Sequence, residues 1–262
     1  MKNALFNSKL IIGMVHLLPL PGSPAYEGDN KEIEERAIAD AHTLIDGGVD
    51  AISVENFSDW PQYSTEVPLE AYSLMLNIVT KIKSFCPLPL GVNIEMNAFR
   101  QEWIMAYATG ADFIRVEAFV DNRAGSFGYL EACSTPLAQL MKQLPAKTLL
   151  FTDVHTAETY GCPEVAINEL AGNAINHDSS AIVVTENDQS KRITVEDVKS
   201  MREKIGDFPI IVGAGVHTDN IMAYLEYADG VIIGRGFKKD GRVDAGLVKD
   251  YMTLVRSRYT RQ

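Results

Sequence analysis

Short apolar runs rich in Ile and Val recur along the chain at strand length. They are LIIGMVH from Leu10, AISVEN from Ala51, LPLGVNIE from Leu88, FIRVEAF from Phe113, TLLFTDVH from Thr148, AIVVTEN from Ala181, PIIVGAGV from Pro209 and GVIIGRG from Gly230. Helical patterns separate them. In NKEIEERAIADAHTLIDGG, the residues Ile33, Ala37, Ala41, Leu44 and Ile45 form one apolar stripe. Asn30 is placed to cap this helix, acids crowd its first turn, and Gly47-Gly48 can end it. Further helices are expected from Pro68, near Ala98, from Pro163, and after Thr194, Thr218 and Asp244, with Pro at a first helical position twice. A shorter one is expected at Pro136 to Gln143. Eight strands alternating with helices predict a parallel sheet. The natural closure is a (β/α)8 TIM barrel forming a single domain over residues 1–262, with an open doubly wound sheet as the competing arrangement.

The fourth run, FIRVEAF, carries charges inside an apolar strand. In a barrel, alternate residues face the interior and the helix layer. Ile114 and Val116 then pack against helices, while Arg115 and Glu117 point inward, toward the C-terminal mouth where catalytic residues of this fold gather. The same register puts Ser53 and Glu55, Asn93 and Glu95, and Asp153 and His155 on the inner face of their strands. An interior ion-pair layer with no chemistry is the plain alternative. Four acids against one Arg and one His, however, leave excess negative charge, which raises a carboxylate pKa or recruits a cation. Glu55, Glu117, Asp153 and His155 are therefore the acid/base candidates, with Arg115 to orient an anionic group. Glu55, Glu95, Glu117, Asp153 and His155 are also candidate metal ligands. Mg²⁺ or Mn²⁺ suits the oxygens better than Zn²⁺, which His155 as a ligand would favour. His16, Asn56, Asn93, Glu95, Thr185 and Glu186 are candidate substrate contacts. No organic cofactor is expected, and no inward Lys supports Schiff-base chemistry.

Two glycine turns, Gly213-Ala214-Gly215 and Gly234-Arg235-Gly236, end the seventh and eighth runs, where barrels frequently bind phosphate on backbone N–H groups and a helix N-terminus. Lys238, Lys239 and Arg242 make the following loop basic. The long loop HLLPLPGSPAYEGDN and the segment from Val120 to Glu131 are expected to wall or cover the mouth.

Composition narrows the partners. The chain has 262 residues, 46% of them hydrophobic, and a formal charge of −11. An acidic protein lacks the basic field that nucleic acid requires. Three scattered cysteines without a CxxC pair fit a reducing compartment. No apolar run reaches membrane-span length. A cytoplasmic homo-oligomer acting on a small phosphorylated substrate is the expectation, without nucleic acid or integral membrane association.

IIGMVHLLPLPGSP, GGVDAISVENFSD, FIRVEAF, GAGV and ADGVIIGRGFKKDG together resemble the BtpA/SgcQ family over nearly the whole chain. The resemblance implies a phosphate-binding TIM barrel. It lands the family pattern on His16, Glu55, Asn56, Arg115, Asp153, Gly213, Gly215 and Gly234. Cyanobacterial members are associated with stabilising photosystem I at the thylakoid. Enterobacterial members accompany sugar phosphotransferase-system genes, and some carry a nucleotide-hydrolase label. The resemblance thus implies either an enzyme of sugar phosphates or nucleoside derivatives (a lyase, isomerase or hydrolase), a non-catalytic assembly factor, or a phosphometabolite-binding regulator. This chain departs from the family at Glu95-Met96-Asn97, where Arg-x-Asp is common, at His155, where Lys is frequent, and at Glu186-Asn187-Asp188, where a Gly/Thr-rich turn usually follows.

Overall fold

The structure is a computed structural model describing residues 4–186 and 191–260; Asn187 and Asp188 of the departing turn lie outside the described residues. Eight parallel strands close into a barrel in chain order: β1 (Leu10–His16), β2 (Ala51–Glu55), β3 (Leu90–Asn93), β4 (Phe113–Val116), β5 (Leu149–Val154), β6 (Ala181–Val184), β7 (Ile210–Val212) and β8 (Gly230–Ile233). Strand β8 pairs back onto β1, Leu10 against Gly230 and Gly13 against Ile233. The helices are α1 (Asn30–Asp46), α2 (Leu69–Phe85), α3 (Phe99–Thr109), α4 (Ser134–Gln143), α5 (Ile167–Asn176), α6 (Val195–Ile205), α7 (Ile221–Tyr227) and α8 (Ala245–Arg256).

Alternation divides the apolar side chains into two cores. Ile11, Val15, Ile52, Val54, Val92, Ile114, Val116 and Val212 face outward and pack with the buried stripes of the helices. Leu10, Ile12, Met14, Phe113, Phe151, Val183, Ile211 and Ile232 fill the lower barrel. Phe113 stacks on Phe151 with centroids 4.6 Å apart, and Phe6 leans on Phe151 from below. A Cβ at Gly91 would lie 2.0 Å from the Phe113 ring, so this inward position of β3 has no room for a side chain. The aromatic plug fills the bottom, and polar residues occupy only the upper inner layers.

Several helix starts differ from expectation. The α1 cap is Asp29, whose side chain accepts from the Glu32 N–H, and Asn30 is already helical. Pro68 sits just before α2 rather than inside it. Helix α5 begins at Ile167, not Pro163. Residues 160–165 are drawn away, Tyr160–Gly161 pairing with Arg123–Gly125 and the Val165 carbonyl meeting His155. Helix α6 carries a full capping box between Thr194 and Asp197. Among the described residues, no helix is long and apolar enough to cross a membrane.

Candidate functional site

Residues at or just after the ends of all eight strands line one cavity of about 480 Å³ at the C-terminal mouth. On one side stand His16, Glu55, Glu95, Arg115 and Glu117; on the other, Gly213 to His217 and Gly234 to Gly236. Both ends follow from the period of two. Glu55 and Glu117 continue the inward rows of β2 and β4, and Gly213 and Gly234 continue those of β7 and β8.

Arg115 ties the acid end together. Its Nε and Nη2 both donate to Asp153 at 2.8 Å, and Nη1 lies 3.6 Å from Glu55. Asp153 is 0% exposed and lies beneath the cavity. Burial works against the Arg115 charge, but the carboxylates of Asp153, Glu117 and Glu55 outweigh it and keep the guanidinium charged. Burial likewise opposes the Glu55 carboxylate, yet its bond to His16 (3.0 Å) and the charges of His16 and Arg115 bring its pKa below the ordinary value. His16 stacks on Phe57, which stands at the cavity rim.

Glu95 and Glu117 behave in the opposite way. Burial, reinforced by the Glu55 charge, pushes Glu95 up to about 8, even with Gln62 donating to it at 3.1 Å. Burial also raises Glu117 well above the carboxylate range. Asn93 donates to Glu117 Oε1 at 2.6 Å and to Glu102 Oε1 at 3.2 Å, so it bridges two buried acids. Burial and the Glu117 charge raise Glu102 in turn. Glu117 Oε2 is buried and finds no hydrogen-bond partner among the described residues.

Other expected residues play supporting parts. Asn56 accepts the Glu95 N–H and donates to Asp59. The Thr185 hydroxyl donates to the His155 carbonyl and accepts from Ala157 N–H, clamping the loop after β5. Glu186 sits outside the cavity lining, its carboxylate near the Glu158 N–H. His155 does not reach the cavity: its positive φ of 54° breaks the strand alternation, and its Nε2 lies 2.7 Å from the Val165 carbonyl and 3.2 Å from Glu164. With His155 turned away and both Asp153 oxygens on Arg115, the five donors expected for a metal do not converge. Among the described residues, no three His, Cys, Asp or Glu side chains are arranged to hold a metal ion.

The glycine end also differs in detail. The Gly213 N–H is given to the Val184 carbonyl. Helix α7 has seven residues and starts only at Ile221, and a single 3-10 turn, Arg235–Phe237, follows Gly234. Lys238, Lys239 and Arg242 form a small ribbon outside the cavity. Instead Arg192 lies across Gly215, where an added Cβ would meet its Cδ at 3.3 Å. The long first loop packs elsewhere, Leu20 N–H on Asp59 and Gly22 on Pro68. The segment after β4 forms a hairpin, Arg123–Gly125 with Gly128–Leu130, which Tyr160–Gly161 extends to three strands and the buried Arg123–Asp121 pair braces. Gln62, Arg192 and Glu102 escape the sequence reading. The first two come from loops without periodicity, and Glu102 lies on a helix where an acid reads as solvated.

This is a (β/α)8 barrel with a polar cavity at its C-terminal mouth. Solved structures with the same fold include thiamine phosphate pyrophosphorylase from Pyrococcus furiosus (TM-score 0.62, 12% identity, covering 97% of this chain and 98% of that one). Orotidine 5'-phosphate decarboxylase from Pyrococcus horikoshii is another (TM-score 0.59, 16% identity, 93% and 99% covered). The BtpA family profile matches residues 7–257, and the chain belongs to the BtpA family. An uncharacterized protein of Pyrococcus horikoshii is 35% identical over 90% of both chains. The photosystem I biogenesis protein BtpA of Synechocystis is 29% identical over 90% of this chain and 83% of its own.

Proposed function

We propose that the protein is an enzyme acting on a small phosphorylated metabolite by proton transfer at the barrel mouth. The observation that carries this reading is the cavity itself, with glycine turns at one end and acids of opposed character at the other. Phosphate would sit at Ala214, Gly215 and the Gly234–Gly236 turn, with Arg192 and Arg235 as cations. A carboxyl near pH 8, such as Glu95, can give and take protons at neutral pH, which is what a general acid/base needs. Glu117 and the His16–Glu55 pair would hold polar groups of the substrate. Isomerisation, aldol-type cleavage and hydrolysis all use such parts. The solved barrels named above are named for phosphorylated compounds, which fits this reading. A non-catalytic assembly factor is the second reading, favoured by the Synechocystis relative; a docking role, however, gives no reason for this acid arrangement.

Phosphate binding tests the reading. Calorimetry should detect inorganic phosphate, and Arg192→Met should weaken it about tenfold, as expected for losing a charge-assisted contact, with unchanged melting temperature. Gly215→Ala should weaken it as well, since Gly215 has φ of 69° and its Cβ would press on Arg192. Full affinity in both variants would refute the assignment.

A further inference from the structure

The two ends of the cavity differ in what they leave uncommitted. At the glycine end, Arg192, Arg235 and His217 stand beside the turns. At the acid end, Arg115 is the only guanidinium among the described lining residues. Two of its nitrogens are committed to Asp153, and the third faces Glu55. The Gln62 amide donates to Glu95. What remains for a ligand is carboxyl oxygen, above all that of Glu117, a cavity-lining residue whose buried Oε2 has no partner among the described residues. A second anion placed here would meet carboxyls with no uncommitted cation among the described lining residues; Lys238, whose charge reaches Glu55, stands outside that lining, and the arrangement costs several-fold in affinity at least. A hydroxyl or an ammonium would instead find acceptors already desolvated and fixed by Asn93, Asn56 and Gln62.

We infer that the substrate carries its anionic charge only at the phosphate. Its other end presents hydrogen-bond donors to Glu55, Glu95 and Glu117, as a phosphorylated polyol or amino sugar does and a phosphorylated acid does not. This rests on the phosphate reading given above. It also assigns Arg115 to holding the site's carboxylates rather than to gripping a substrate anion, contrary to the role its strand pattern suggests.

Three probes separate the possibilities: glucose 6-phosphate, glucosamine 6-phosphate and 6-phosphogluconate. They share a six-carbon skeleton and one phosphate, and bring a hydroxyl, an ammonium or a carboxylate. In calorimetry on the full chain near neutral pH, the first two should bind at least about tenfold more tightly than both inorganic phosphate and 6-phosphogluconate, the difference expected for a like-charge contact in a partly buried site. Above the folded Glu95 pKa of about 8, where the wild-type side chain is charged, Glu95→Gln keeps shape and removes that charge, and should narrow the gap to 6-phosphogluconate. Equal binding of 6-phosphogluconate, or a gap unaltered in Glu95→Gln at that pH, overturns the inference. If inorganic phosphate binds and none of the three improves on it, the inference falls while the phosphate site stands. If inorganic phosphate also fails to bind, the phosphate reading falls first and takes the inference with it.

Discussion

Replacing Arg115 with Met should destabilise the protein by about 3–5 kcal/mol, the loss expected when one partner of a buried pair is removed. Asp153 is fully buried and gives both oxygens to this one guanidinium, and Glu55 is held beside it. Without Arg115, at least one carboxylate is left uncompensated in the barrel interior, or takes up a proton at a comparable cost. For a domain of this size the melting temperature should fall by roughly 10 °C. The strand pattern alone leads to a different expectation, a guanidinium standing in a wet mouth and cheap to remove; the bidentate geometry changes it. Adding Asp153→Leu to Arg115→Met should recover most of the loss, because a matched apolar pair can replace a buried ionic one. A single variant melting within a degree or two of wild type would show that the pair braces nothing.

The second large effect has the opposite sign. Glu95→Gln should be more stable than wild type in mildly alkaline solution. A carboxyl whose folded pKa stands near 8, against an ordinary 4.5, binds its proton more tightly when folded. Its favourable contribution is therefore complete below pH 4.5, declines as pH rises, and is gone above about 8. Carried in full, that difference is roughly 5 kcal/mol. The mouth is open to water, so we expect about 2 kcal/mol, or roughly 5 °C, for the amide at pH values above the folded pKa. The two proteins should converge toward pH 4.5. Melting curves across this range, with phosphate-ester binding measured alongside, check both halves: the variant should gain stability and lose its preference for donor-bearing ligands. A stability difference independent of pH would mean that Glu95 is not held protonated by its surroundings.

Much of this architecture was legible because a barrel strand has one simple rule. A period of two puts Ser53 and Glu55, and Arg115 and Glu117, on the inner face whatever the loops do, and the two apolar cores confirm the outward set. The rule fails where the backbone leaves the strand conformation. His155 follows β5 in sequence but has left-handed φ, and its ring turns toward Val165. It also says nothing about side chains delivered from elsewhere. Gln62 and Arg192 reach the cavity from loops, and Glu102 reaches Asn93 from α3, beside Trp103 in a first turn that looks polar from the sequence. Helix starts slip by a residue or more because neighbouring polar residues compete for one cap, as Asp29 does with Asn30.

The aromatic plug has a kinetic consequence. Phe6, Phe113 and Phe151 fill the lower barrel, and Gly91 lets the Phe113 ring sit flush in the β3 wall. Entry and exit therefore share one opening. A compound leaving the cavity blocks the next one arriving, and no co-reactant can approach from the far side once a phosphorylated ligand is seated. On the function proposed above, any phosphorylated product should inhibit competitively against the substrate. In a reaction with two substrates, the order of arrival should be compulsory rather than random, with the group that reaches deepest going in first.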